Sequence, residues 1–281
     1  MTDSNPDVEL AKAAKRKKAL KRRLFVYSAI LGLIYGAFLF LPQQVDWNQK
    51  PIPNPNPKVD PDSRHLFSPG TRVLVVTAHP DDAEFYLGAG LVGLHEKGAE
   101  IRLVVCTNGD KGYYTRLFTN SERNAEVRQD EQLKASLQYG ADVVFLGHPD
   151  GRLHKDEELV KEIKDQIARW HAEYVFCFDP EYPPKVSHQD HRRSGEAATE
   201  AAMQSPTVKW LLQFSTRAPN FGFDVSNWDL EIKMLSYHAS QFHGKRLEMI
   251  SNMVWENAQR DGEILGLGLA QGLRASRLDH S

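Results

Sequence analysis

The stretch from Val73 to Glu84, VLVVTAHPDDAE, decides the fold. Its first half is an unbroken apolar run, which is typical of a buried strand in a parallel sheet. The run ends in His79, Pro80 and two adjacent aspartates, Asp81 and Asp82. Neighbouring carboxylates repel each other and resist burial. We therefore expect a positive charge at this strand end.

Three further apolar runs alternate with segments of helical period. The runs are EIRLVVCT, ADVVFLG and YVFCFD, and the helical segments are AEFYLGAGLVGLHEKG, ERNAEVRQDEQLKASLQYG and DEELVKEIKDQIARWHA. This alternation predicts an α/β fold with a Rossmann-like, doubly wound and mostly parallel sheet. In such a sheet the ligand crevice lies beyond the carboxyl ends of the strands, where the strand order switches. We expect residues 79–82 at that point.

The composition is that of a globular protein, since 41% of the 281 residues are hydrophobic and 26% are charged. The formal net charge of -2 predicts no nucleic-acid partner, because binding phosphates needs a basic surface. The chain has two cysteines, Cys106 and Cys177, each inside an apolar run. We interpret both as small buried hydrophobic residues rather than as a disulfide.

The N-terminal part of the chain has a different composition. A tail rich in Lys and Arg, residues 1–23, precedes an apolar segment without charges, residues 24–41, whose length matches a bilayer. This segment is too long for a signal peptide, so we predict an uncleaved transmembrane anchor. The basic tail predicts a cytoplasmic N-terminus, which leaves the rest of a single-pass membrane protein outside the cytoplasm. Residues 42–70 form a Pro-rich linker, and the globular domain covers residues 71–281.

A second polar cluster, SHQDHR at residues 187–192, follows the run YVFCFD. Because parallel strands end at one edge of the sheet, we expect this cluster to converge with residues 79–82. Two imidazoles and a carboxylate suit Zn²⁺ and leave a fourth position for water, as in catalytic zinc sites. One aspartate of the adjacent pair would hold the metal, and the other would act as a base.

HPDDAE together with HQDHR resembles the PIG-L or LmbE-like family of zinc-dependent N-acetylglucosaminyl de-N-acetylases. The similarity extends from about Arg72 to about Gln241 and includes TNGDKG, RQDE, FLGHPDGRL and a distal K-x-x-x-x-H-x-S-Q element. The resemblance implies that residues 71–281 are a catalytic domain, a hydrolase acting on a linear amide. Its reaction would remove the N-acetyl group from an N-acetylglucosamine-containing glycoconjugate or lipid-linked sugar and release acetate.

The resemblance also implies a metal site and its chemistry. The metal ligands would be His79, Asp82 and His191. The cofactor would be Zn²⁺ or another divalent metal, which activates a water molecule. Asp81 would take a proton from that water as the general base. His188 would polarise the amide carbonyl or stabilise the oxyanion, and Asp190 would orient an imidazole.

By the same resemblance, three residues would contact an N-acetylated amino sugar. They are Asp110, Arg128 and Asp150. The chain departs from the family pattern at two positions, because Gln189 stands where Pro is common and Val186 stands where some members place a tyrosine. Tyr182 is a candidate substitute for that tyrosine.

Several other interpretations compete with these assignments. Asp82 alone could be a helix cap, although that leaves SHQDH unexplained. Arg128 could pair with Glu131 on a helix surface, and Asp150 could serve only its Pro-Asp-Gly turn. GAGLVG, residues 88–93, has the spacing of a dinucleotide loop but lies too far beyond the strand, so we interpret its glycines as helix-packing residues. The alternative function is a catalytically silent metal- or glycan-binding module of the same fold.

Overall fold

The structure is a computed structural model that describes residues 67–112 and 120–280. The predicted tail and anchor, residues 1–41, lie outside the described residues, and so does most of the predicted linker. None of the helices in the described ranges is long and apolar enough to cross a membrane. The boundaries of tail, anchor and linker stay predictions.

One sheet of seven strands forms the centre of the domain. The strands are β1 (Arg72–Thr77), β2 (Glu100–Thr107), β3 (Asp142–His148), β4 (Tyr174–Phe178), β5 (Trp210–Phe214), β6 (Phe221–Asp224) and β7 (Ala270–Arg277). Their order across the sheet is β3-β2-β1-β4-β5-β7-β6. Strands β1 to β5 are parallel, whereas β7 is antiparallel to β5 and β6. The predicted α/β class is confirmed, and the strand order switches between β1 and β4.

Helices cover both faces of the sheet. They are α1 (Asp82–Glu96), α2 (Ser121–Ser136), α3 (Glu157–Trp170), α4 (Gln189–Met203), α5 (Trp228–Ser236) and α6 (Gly244–Leu265). Apolar residues of α1 and α5 join one core cluster, and those of α3 and α4 join the cluster on the opposite face. This is the doubly wound arrangement expected from the alternation of strands and helices.

Strand β1 is apolar without interruption because it lies between these two cores. Val73 and Val75 belong to one cluster, Leu74 and Val76 belong to the other, and all four are fully buried. Burying each such side chain contributes about 1.5–3 kcal/mol of hydrophobic free energy. The strand that carries the HPDD turn is thus anchored on both faces.

The C-terminal region belongs to the same domain. Strand β7 inserts between β5 and β6, and helix α6 precedes it in the chain. Asp261 of α6 accepts a hydrogen bond from the backbone of Gly272 on β7, at 3.1 Å. Residues beyond about 244 therefore complete the sheet.

The packing role predicted for the glycines of residues 88–93 is confirmed for Gly88 and Gly90 but not for Gly93, where a Cβ atom would meet nothing within 4 Å, and the prediction for the cysteines is confirmed. A Cβ atom on Gly90 would lie 2.5 Å from the ring of Phe223, so this glycine lets α1 pack closely against β6. A Cβ atom on Gly88 would lie 3.0 Å from Met234 of α5. Both Cys106 and Cys177 are free and buried.

Candidate metal centre and active site

The two predicted polar clusters meet beyond the ends of β1 and β4. His79 follows β1, and His188 and His191 lie at the N-terminal end of α4. The ring centroids are 4.8 Å apart for His79 and His188, and 5.3 Å apart for each of these rings and His191. Asp150 joins them from the turn after β3. The site therefore lies at the switch in strand order, as predicted.

Asp82 lies between two of the imidazoles. Its Oδ1 is 3.1 Å from Nε2 of His191, and its Oδ2 is 3.6 Å from Nδ1 of His79. Zinc bonds of 2.0–2.2 Å in tetrahedral geometry place ligand atoms roughly 3.4 Å apart. The backbone N–H groups of Ala78 and His79 donate to Oδ2 at 3.1 and 2.8 Å and fix the carboxylate. Each of the two imidazoles thus has an oxygen of Asp82 at about the spacing of two ligands of one ion, although the two oxygens differ.

The second ring nitrogen of His79 is held by two carboxylates. Nε2 lies 3.1 Å from Oδ1 of Asp150 and 3.2 Å from Oδ2 of Asp190. Because carboxylates accept hydrogen bonds, Nε2 carries a proton, and Nδ1 is the nitrogen that can bind a metal. Asp190 is itself fixed by the backbone N–H groups of Gly151 and Leu153, at 2.6 and 3.1 Å. His79 is therefore the imidazole that Asp190 contacts.

The charges around the site agree with this geometry. Burial favours the neutral acid of Asp82, but the charge of His191 and hydrogen bonds from His191 and His79 outweigh it and hold the pKa of Asp82 well below its usual value. Burial likewise opposes protonation of His79, yet its hydrogen bonds to Asp150 and Asp190 hold its pKa well above the ordinary value. A metal would replace the proton on Nδ1.

Among the described residues, two sets of three side chains bring one possible ligand atom each within 4.8 Å of one another, and the predicted set of His79, Asp82 and His191 is not one of them. One set is His79, His188 and His191, and the other is His79, Asp150 and Asp190. Nδ1 of His188 accepts a hydrogen bond from the backbone N–H of Asp190, at 3.1 Å. In the neutral ring the proton is then on Nε2, which can donate to a carbonyl oxygen. Burial, and the neighbouring His79 and His191, lower the pKa of His188 and favour that neutral ring.

Asp81 points to a different partner from Asp82. Its backbone φ of 106° is in the left-handed region, which is uncommon for a residue other than glycine. Its Oδ2 accepts a hydrogen bond from Nη2 of Arg128 at 3.0 Å, and its backbone N–H donates to Oε1 of Gln132 at 2.9 Å. Burial raises the pKa of Asp81, the charge of Arg128 lowers it, and the charge of Asp82 raises it, with a net upward shift. The adjacent aspartates thus have different electrostatic environments.

The predicted sugar contacts differ in accessibility. Arg128 is buried, and besides Asp81 it donates to the carbonyl oxygens of Gly109 and Pro80, at 2.8 and 2.6 Å. These bonds occupy much of the guanidinium group that we expected to contact a sugar. The interpretation of Arg128 as the partner of Glu131 does not fit, since Glu131 accepts from the backbone and hydroxyl of Ser240 instead.

Asp150 is also buried, and it contacts His79. Burial opposes its ionisation, but the hydrogen bond and charge of His79 lower the pKa of Asp150 to about 2. The remaining residue of the three, Asp110, is partly exposed in the loop after β2, where its carbonyl oxygen accepts from the side chain of Asn124 at 3.2 Å. Asp110 is thus the most accessible of the predicted sugar contacts.

The ring of His191 stacks on Phe178, the last residue of β4. Their centroids are 4.1 Å apart, and their planes are inclined by 15°. Helix α4 approaches the strand closely here, because a Cβ atom on Gly195 would lie 2.4 Å from the carbonyl oxygen of Phe178. The stack fixes the orientation of His191 against the sheet.

Sequence reasoning missed a group of buried polar residues behind Asp81. Gln132 lies one helical turn after Arg128, and its side-chain amide bridges the backbone of Asp81 and the carboxylate of Glu84. Glu84 also contacts His238, at 2.9 Å. The sequence does contain the distal K-x-x-x-x-H-x-S-Q element with His238, but it carries no signal that His238 meets Glu84.

Comparison with known proteins identifies the region that carries this site. Residues 74–202 match the family model described as PIG-L: GlcNAc-PI de-N-acetylase. The chain carries a PIG-L family domain. The match includes both His and Asp clusters and extends from β1 to the end of α4.

The PIG-L domain is similar to proteins of more than one activity. The chain is 23% identical over 234 residues to the diacetylchitobiose deacetylase of Thermococcus kodakarensis, covering 77% of this chain and 87% of that protein. The structure of the N,N'-diacetylchitobiose deacetylase from Pyrococcus horikoshii is 25% identical, with a TM-score of 0.69 and coverage of 73% and 84%. The 4-carboxy-2-hydroxymuconate hydratase of Pseudomonas putida is 19% identical, with a TM-score of 0.62 and coverage of 75% and 99%. This last likeness shows the fold alone.

Proposed function

We propose that this protein is a metal-dependent amidase that removes the N-acetyl group from an N-acetylglucosamine-containing substrate and releases acetate. The observation that carries the proposal is the pair of adjacent aspartates with different surroundings. Asp82 is ionised between two imidazoles, whereas the neighbouring Asp81 has a raised pKa. Metal-assisted amide hydrolysis uses one residue that binds the ion and a second that takes a proton from the attacking water.

The proposed ligands of the metal are His79, Asp82 and His191, with Zn²⁺ as the preferred ion. When bound, the ion supplies Lewis acidity for the amide carbonyl and for water. Asp81 accepts the proton of the attacking water, and its raised pKa brings it closer to neutrality, where a general base works best. Nε2 of His188 donates to the carbonyl oxygen as negative charge develops on it.

The substrate is the finer part of the proposal. The two archaeal relatives are both deacetylases of diacetylchitobiose by name, and the family model is named for an N-acetylglucosamine lipid. If residues 24–41 anchor the chain and the domain lies outside the cytoplasm, a lipid-linked or envelope glycan suits it. We therefore propose a glycoconjugate or lipid-linked sugar with an N-acetylglucosamine unit.

The test uses the purified full chain. Metal content is measured, and the release of amine and acetate is followed with N,N'-diacetylchitobiose and N-acetylglucosaminyl lipids, before and after chelation and after return of zinc. We expect about one zinc per chain and release that chelation abolishes and zinc restores. Bound metal without release would favour the silent binding module. Water addition to an unsaturated hydroxy acid, without amide cleavage, would favour a hydratase.

The proposed localisation has a separate test. A reporter that is active only outside the cytoplasm is fused to the C-terminus, and a second reporter that is active only inside is fused at the same position. The proposal expects a signal from the first fusion alone. A signal from the second fusion alone would reverse the orientation.

A further inference from the structure

The backbone of Asp81 is in a conformation that needs support. A residue with a Cβ atom in the left-handed region costs about 1–2 kcal/mol relative to ordinary backbone. Asp81 has a φ of 106° immediately before helix α1, and its side chain caps none of the N–H groups of that helix. Contacts from elsewhere must therefore hold Asp81 in this conformation.

Gln132 makes one of these contacts, and its amide can be oriented in only one way. Its Oε1 accepts the backbone N–H of Asp81 at 2.9 Å, while its Nε2 donates to Oε1 of Glu84 at 2.8 Å and to the hydroxyl of Ser136 at 3.2 Å. A backbone N–H donates and cannot accept, so the amide oxygen of Gln132 must face Asp81. The amide nitrogen of Gln132 then faces Oε1 of Glu84.

Glu84 is itself held by two further side chains. The hydroxyl of Tyr139 donates to Oε1 of Glu84 at 2.6 Å, and Nε2 of His238 lies 2.9 Å from Oε2. These residues and Gln132 are fully or almost fully buried, in the region between α1, α2 and the segment after α5. Buried networks whose members are all hydrogen-bonded are rigid.

We propose that Gln132 is a positioning residue that fixes the backbone of Asp81, and that Glu84, Tyr139 and His238 hold Gln132 in place. The effect on turnover rests on the proposed function, because it requires Asp81 to be the base. The effect on the backbone of Asp81 does not depend on the proposed function. A rigid backbone keeps the carboxylate within reach of the attacking water, and displacement by about 1 Å is enough to cost up to 10²-fold in rate.

The first experiment compares Gln132→Met with Gln213→Met in the full chain. Gln213 is also a buried glutamine, but it lies on β5 and donates to Thr199. We expect Gln132→Met to lower kcat by about 10- to 100-fold with KM and metal content close to the wild type. Gln213→Met should lower the melting temperature and leave kcat nearly unchanged. Equal kcat in the two variants would overturn the proposal.

A double-mutant cycle separates positioning from general damage. If Gln132 acts through Asp81, Gln132→Met should cost 10- to 100-fold in the wild type and almost nothing in the Asp81→Asn background. The same loss in both backgrounds would mean that Gln132 acts in another way.

Backbone hydrogen exchange gives a measurement that does not depend on activity. Peptides that cover residues 79–85 should exchange faster in Gln132→Met than in the wild type or in Gln213→Met. Unchanged exchange would overturn the inference even if turnover fell. If the wild type hydrolyses no amide but exchange rises as expected, the proposed function fails and the positioning contact stands.

Discussion

Two buried carboxylates at the ends of neighbouring strands have opposite surroundings. Asp179, directly after β4, accepts both guanidinium bonds of Arg274 at 2.8 Å, as well as the hydroxyl of Thr216 at 2.6 Å. Asp82, after β1, faces the imidazoles of His79 and His191. Asp179 has a permanent cation within the chain, whereas the partners of Asp82 are titratable rings.

This difference separates a structural carboxylate from a functional one. Arg274 is always charged, so Asp179 has a counter-charge supplied by the chain itself. Among the described residues Asp82 has no such partner, and in the proposed function a metal supplies the balancing charge. We therefore assign the metal-binding role to Asp82, whose imidazole partners can exchange a proton for a metal, and a structural role to Asp179.

Replacing the proposed base should have the largest effect. Asp81→Asn keeps the shape of the side chain and leaves the three proposed metal ligands in place. We expect kcat to fall by about 10³-fold, while the metal content stays close to that of the wild type. Metal analysis and turnover on the same preparation check this. Near-normal turnover would remove Asp81 from its role.

On the structural side of the comparison, the change is Asp179→Asn. It removes the buried counter-charge of Arg274 and leaves only the more exposed Glu181, 3.2 Å from Nη1, so we expect the free energy of unfolding to fall by about 3 kcal/mol. Denaturant unfolding measures the loss. Turnover per folded molecule should fall far less than in Asp81→Asn. A comparable fall in turnover would show that the role of Asp179 is not purely structural.

Glu231 is a third buried carboxylate, and its hydrogen-bond partners include no cation. Its Oε2 accepts from the backbone of Ala89 and from Gln271, both at 2.9 Å, and Oε1 has no hydrogen-bond partner among the described residues. Burial raises the pKa of Glu231 from 4.5 to about 8. The folded protein thus favours the neutral acid.

The sign of the resulting pH dependence follows from this upward shift. The contribution of Glu231 to stability is fully present below pH 4.5, the pKa of the free side chain, and is lost as the pH rises through about 8. We expect the wild type to lose up to about 4 kcal/mol relative to Glu231→Gln over this interval. Parallel stability curves for the two proteins would contradict the assignment.

The smallest expected effect belongs to Asp190→Asn. This change weakens the bond that holds Nε2 of His79 and leaves Asp150 as its remaining carboxylate partner. We expect metal affinity to fall by about 10- to 100-fold. Competition with a chelator of known affinity measures it, and Asp165→Asn on the exposed face of α3 is the control. An unchanged affinity would mean that Asp150 alone orients the ring.

Local patterns were sufficient to predict the framework and the convergence of the site. HPDD and HQDH each follow an apolar strand run. Because parallel strands end at the same edge of the sheet, this position brings His79, Asp82 and His191 together. The predicted boundaries of the first helix, residues 83–98, differ from α1 by one or two residues. Such agreement is expected because the period of the hydrophobic residues and their burial determine where strands and helices form.

The contacts behind the site could not be predicted in this way. Glu84 and His238 are far apart in the sequence, and their contact depends on how α5 packs against α1. Arg128 has a side chain suited to a sugar, but the fold turns it toward Gly109 and Pro80. Residue type limits what a side chain can bind, whereas tertiary packing decides which partner it meets.

The stacking of His191 on Phe178 has a consequence for how such a protein can diversify. The proposed ligands Asp82 and His191 lie in the first turns of α1 and α4, and the stack joins His191 to a core strand. The loop of residues 180–187, which includes the departure at Val186, carries none of the proposed ligands. We therefore expect substitutions in that loop to leave the three proposed ligands in place.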